Sequence, residues 1–205
     1  MRHSLRQLIP SDVFDYVQLT SALNGYANIR GKIGRLIASG EIIRIKKGFY
    51  TFPDYLRRAP LNSCMIANML YGPSYVSCDY ALSFYNIIPE RVELITSLTL
   101  GRPRQFNTPV GNYLYYQHHG MDYSIGIEPY DVNGYGFLIA SREKAIYDKA
   151  LIDKRFTGQE IETYLLDDLR MEEESLQNLN KSVLQELMNA ARGKMIPLVK
   201  FLLEQ

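Results

Sequence analysis

Six cations crowd the stretch from Ala27 to Phe52: Arg30, Lys32 and Arg35, then Arg44, Lys46 and Lys47, with Arg57 just beyond. The carboxylates nearby are Glu41 and Asp54. Cations at this density suit a polyanion, because each phosphate they neutralise releases condensed counterions. Arg30, Lys32 and Arg35 are candidates for base-edge or backbone contact with DNA, and Arg44, Lys46 and Lys47 for phosphate binding. A small rotation of the segment would reassign which of the first three reads bases. Asn28 belongs to the same candidate DNA-binding set, and its side-chain oxygen can accept from the orphan amides of a helix start.

The elements around these residues follow from spacing. Ile29, Ile33, Leu36 and Ile37 recur at i, i+4, i+7 and i+8, one apolar face of a helix, with Arg30, Lys32, Gly34 and Arg35 on the other side. Ser39-Gly40 ends that helix. The period then changes: Ile43 and Ile45 alternate with Arg44 and Lys46, Gly48 offers the positive φ of a tight hairpin, and Phe49 to Phe52 returns as a second strand. Upstream, Leu5, Leu8 and Ile9 predict a helix ending at Pro10. "VFDYVQLTSALNG" predicts another, with Phe14, Val17, Leu19, Ala22 and Leu23 on one stripe. Three helices and a basic hairpin outline a winged helix-turn-helix, its third helix entering the major groove.

Charge is unevenly placed. Residues 1–58 hold ten Lys/Arg against four Asp/Glu, a net of +6, and the remainder holds 13 against 18, a net of −5. The expected domains are 1–58, a winged helix-turn-helix, and 59–205, an α+β effector domain. At 46% hydrophobic and 22% charged, the 205 residues are ordinary for a globular protein. No apolar segment suits a signal peptide or a membrane span, so a cytoplasmic protein without membrane partners is expected. Cys64 and Cys78 read as reduced thiols, and a disulfide between them stays open.

Beyond the connector "PDYLRRAP", helices are expected in "NSCMIANMLYG" and "CDYALSFYNI". Strands are expected in "VELITSLTL", "NYLYYQHH", "YSIGIEPY" and "YGFLIA". Ser141 can cap a helix over "SREKAIYDKALI", and Thr157 with Glu160 has capping-box spacing before another. The fold class is α+β: the winged helix-turn-helix, then a mixed helix/antiparallel-sheet domain with a helical C-terminus.

Catalytic chemistry finds little footing. His118 and His119, adjacent on a strand, point to opposite faces and cannot share a metal. Asp148 with Asp153, or Asp167 with Asp168, could pair carboxylates, yet on helices such groups are usually solvent-facing. Pro53-Asp54 lacks the Glu-x-Lys that would complete a nuclease motif, and no phosphate-binding Gly-rich loop or nucleophile elbow is present. No catalytic, metal or cofactor-binding residue is expected, and no enzyme.

The blocks "LYGPSYVSCDYALSFYNIIPE", "ITSLT" and "IASREKAIYDKAL" resemble the antitoxin of AbiEi-type (type IV) toxin–antitoxin systems. "RLIASGEIIRIKKGFYTF" is similar to the winged helix those antitoxins carry, including Gly48-x-Tyr50. The resemblance runs from about Phe14 to Leu151. It implies a transcriptional autoregulator that binds inverted repeats in double-stranded DNA upstream of its own operon. It further implies a C-terminal domain that counteracts a nucleotidyltransferase-like toxin without a stable complex. DNA binding in the family maps here onto Arg30, Lys32, Arg35, Arg44, Lys46 and Lys47. The alternative expectation is a protein-interaction module whose acidic C-terminal domain holds a partner, without DNA binding.

Overall fold

Asp15 decides where the second helix starts. In the computed structural model, which describes residues 4–205, its carboxylate accepts from the Gln18 amide at 2.8 Å while the Gln18 side chain accepts from the Asp15 amide at 3.0 Å. This reciprocal cap starts α2 at Tyr16–Ala22 and leaves Val13–Asp15 as strand β1. The single helix expected from Val13 onward is thereby corrected: Phe14 pairs with Tyr50 across a sheet, and Val17 is 71% exposed rather than on a buried stripe.

The chain divides into two compact units: Met1–Asn62 with Asn107–Val110, and Ser63–Phe106 with Gly111–Gln205.

The first unit runs α1 (Leu5–Leu8), β1, α2, α3 (Ile29–Ala38), β2 (Ile43–Lys46) and β3 (Phe49–Thr51). Its antiparallel sheet has the order β1-β3-β2. Ile9, Phe14, Leu19, Leu23, Ile33, Leu36, Ile42, Tyr50 and Phe52 form one core, with Ile29 and Ile37 packed against it. The apolar face expected of α3 is the face that points inward.

The second unit begins α4 (Ser63–Leu70), β4 (Ser74–Val76), α5 (Cys78–Phe84), β5 (Ile95–Thr99), β6 (Arg104–Thr108) and β7 (Gly111–Gln117). It continues with β8 (Ile127–Val132), β9 (Tyr135–Ala140) and α6 (Arg142–Ile152). Helical segments follow: α7 (Ile161–Thr163), α8 (Glu173–Gln177), α9 (Lys181–Ala190) and α10 (Met195–Glu204). The sheet order is β6-β7-β5-β4-β9-β8. It is mixed, not antiparallel as expected: β5–β7 and β4–β9 run parallel, β4–β5 and β8–β9 antiparallel. The reason is connectivity. β6 takes the edge and β7 inserts between it and β5, and β9 joins β4 from more than fifty positions away in sequence. All five residues of β5 are buried, as a central strand covered on both faces requires. Thr157 does not open a helix, because Glu160 adopts a left-handed conformation (φ 49°) and α7 starts only at Ile161.

The architecture is therefore α+β, with two sheets and helices in both units. Among the described residues, no helix is long and apolar enough to cross a membrane.

Candidate nucleic-acid interface

Asn28 begins α3 by accepting the Gly31 amide at 2.8 Å, so its oxygen serves as a cap and its amide nitrogen is the donor left to reach a ligand. With Ile33 and Leu36 inward, the rotation of about 100° per residue turns Arg35 outward. The same rotation puts Arg30 and Lys32 on opposite flanks of the helix. Arg30 and Arg35 are exposed. Arg35 makes one bond, a 3.4 Å contact from Nε to the Gly31 carbonyl inside its own helix. Lys32 differs from both. It is half-buried, with Nζ 5.5 Å from the centre of the Tyr26 ring. The three residues expected to share one face do not: exposure sets Lys32 apart, whereas helix rotation places Lys32 within about 60° of Arg35 and Arg30 about 140° from Arg35.

The hairpin carries the other three. Arg44 and Lys47 are exposed, whereas Lys46 is half-buried. A register shift between Arg44 and Lys46 explains the difference: Arg44 faces Tyr50, Lys46 faces Phe49, and Ile45 is extra. A bulge of this kind re-aims the side chain that follows it. Gly48 takes φ +84°, the turn conformation expected of it, and its carbonyl accepts from the Tyr16 amide at 2.9 Å. That bond ties the hairpin turn to the start of α2.

The carboxylates of this unit have other employment. Asp12 is buried, pairs with Arg6 at 2.6 Å, and accepts from the amides of Arg58 and Ala59. Asp54 pairs with Arg57, and Asp15 caps α2. Glu41 accepts from the Ser39 hydroxyl at 2.9 Å. Among the described residues Arg30, Arg35, Arg44 and Lys47 form no ion pair. Positive charge is neutralised at the connector and left open on the helix and the hairpin.

Catalytic candidates in the second unit are placed differently from expectation. Asp148 is not solvent-facing: it is fully buried, 3.0 Å from the equally buried Lys144, and accepts from the hydroxyls of Ser77 (2.7 Å) and Tyr75 (2.9 Å). Arg155 on one side of Asp153 holds that carboxyl down at about 2. His118 is buried and His119 exposed, but both lie past the end of β7 at Gln117, not on the strand expected for them. Cys64 and Cys78 are free and buried, and burial pushes the Cys64 thiol up to about 11, away from a reactive thiolate. The Lys144–Asp148 spacing of i, i+4 was the one sequence signal for this buried pair.

No family model matches the sequence, and no curated protein matches it. Among solved structures, the fold is similar to the crystal structure of the RV2827C protein from Mycobacterium tuberculosis. The TM-score is 0.60 at 13% sequence identity, over 98% of this chain and 73% of that one, a likeness of α+β fold.

Proposed function

We propose that the protein is a DNA-binding transcriptional autoregulator acting as the antitoxin of a type IV toxin–antitoxin system. Residues 1–58 are read as a winged helix-turn-helix. One observation carries the reading: Arg30, Arg35, Arg44 and Lys47 are exposed and without an ion-pair partner among the described residues. An element order of helix, strand, helix, helix and hairpin supports it, as does the bond that fixes the hairpin turn to α2. In this reading α3 enters the major groove and Lys47, at the hairpin turn, lies on phosphate. The antitoxin role rests on the sequence blocks quoted above, and with it repression of the protein's own operon and neutralisation of a nucleotidyltransferase-like toxin without a stable complex.

A mobility-shift titration tests the DNA half. At about 0.15 M salt, duplex from the protein's own upstream region should bind roughly 1,000-fold more tightly than random duplex. Equal affinity for both would overturn the regulator reading, and co-purification of a stoichiometric protein without DNA affinity would favour an interaction module instead.

A further inference from the structure

The second unit contains a cleft of about 1140 Å³ whose walls include Tyr116, Ile125, Tyr147, Leu151 and Met195, with Asp122 among the lining groups. Asp122 is only 6% exposed, so its carboxylate forms part of the floor. Its surroundings leave it short of positive charge. Lys144 is the buried ammonium at hand, yet its Nζ contacts the carboxylate of Asp148 at 3.0 Å and only the main-chain carbonyl of Asp122 at 2.8 Å.

His118 supplies only part of the difference, from beside the carboxylate and without a hydrogen bond to it. Its Nδ1 accepts from the Gly120 amide at 3.0 Å, which leaves Nε2 as the ring nitrogen that faces Asp122. That Nε2 is buried, has no hydrogen-bond partner, and lies 3.6 Å from Asp122 Oδ2, too far for a bond. Two buried carboxylates thus share one ammonium, and the unmatched negative charge is the one that opens on the cleft. Burial alone would favour the neutral acid, but His118, Tyr147 and Lys144 outweigh it and keep Asp122 well below the usual carboxylate range. Gly120 is what allows this packing. A Cβ there would clash with Asp122 Oδ1.

We propose that this cleft is a binding site for a small organic cation, with its ammonium or amidinium head on Asp122 and its apolar body against Tyr116, Ile125, Leu151 and Met195. The site is independent of the DNA-binding reading. Lys154, Arg192 and the carboxylate of Glu186 also line the cleft, but all three are exposed and screened by solvent, unlike the floor.

The test uses the full chain and three isosteric probes: 2-phenylethylamine, 2-phenylethanol and phenylacetate, titrated by NMR or calorimetry up to about 10 mM, the range expected for roughly nine heavy atoms. The amine should bind about tenfold or more tightly than either other probe. The preference should vanish in Asp122→Asn and survive in Asp131→Asn, an exposed carboxylate on β8. Ala190→Trp, which fills the cleft without altering charge, should abolish binding, and it decides the matter if Asp122→Asn does not fold. No amine binding, equal binding of phenylacetate, or amine binding that persists in the filled cleft overturns the proposal.

Discussion

The two units differ in where their internally held cations sit, although exposed cations without an ion pair among the described residues, Lys154 and Lys200 for example, occur in the second unit as well. In Ser63–Gln205, Lys144 sits fully buried between Asp148 and a main-chain carbonyl, Lys149 pairs with Asp79 at 2.6 Å, and Lys194 reaches the carbonyls of Asp153 and Phe156. In the first unit Arg6 and Arg57 are neutralised in the same fashion, but Arg30, Arg35, Arg44 and Lys47 are not. A cation bonded internally holds the fold and is withdrawn from other partners. A cation left open adds nothing to the fold and keeps its charge available for a ligand. The contrast separates side chains that hold the chain together from those that can act outside it.

The largest effect should come from breaking the buried pair. Lys144→Met leaves Asp148 and Asp122 without their shared ammonium and should destabilise the second unit by about 3–5 kcal/mol. Arg30→Met, which removes an exposed cation with no ion-pair partner among the described residues, should change stability by less than about 0.5 kcal/mol. Urea unfolding of the two variants side by side measures both. Similar losses would erase the distinction between the units.

That pair also marks where sequence reasoning stops. The cap at Asn28, the inward face of Ile33 and Leu36, and the turn at Gly48 were all legible, because each depends on residues within a few positions. The burial of Asp148 was not. Tyr75 and Ser77, which hydrogen-bond it, lie 73 and 71 residues away, and only the parallel pairing of β4 with β9 indicates how such distant segments meet. Strand β1 was missed for a different reason: Asp15 and Gln18 carry a readable capping signal, but the stripe from Phe14 to Leu23 obscured it. The flank position of Lys32 follows from helix geometry, whereas its contact with Tyr26 does not.

Charge reversal at the open cations comes next in size. Arg30→Glu with Arg35→Glu should weaken binding to the upstream duplex by about 100-fold or more at 0.15 M salt, with the unfolding midpoint unchanged. Binding that survives both reversals would remove α3 from the interface and with it the comparison's functional meaning.

The smallest effect separates cations within the first unit. Lys47 is exposed at the hairpin turn without an ion pair, so Lys47→Ala removes one phosphate contact in the proposed complex. The slope of log affinity against log salt should fall in magnitude by about 0.9, equally for specific and random duplex, while stability stays constant. Lys32→Ala should behave in the reverse way. Its ammonium rests over the Tyr26 ring on a flank of α3, so its loss should cost about 0.5–1 kcal/mol of stability and leave the salt slope nearly unchanged. Salt titrations of the two variants on one duplex read the difference directly. If Lys32→Ala takes the larger share of the slope, the DNA-facing side of α3 is the flank that carries Lys32, and Arg30 on the opposite flank is turned away from the duplex.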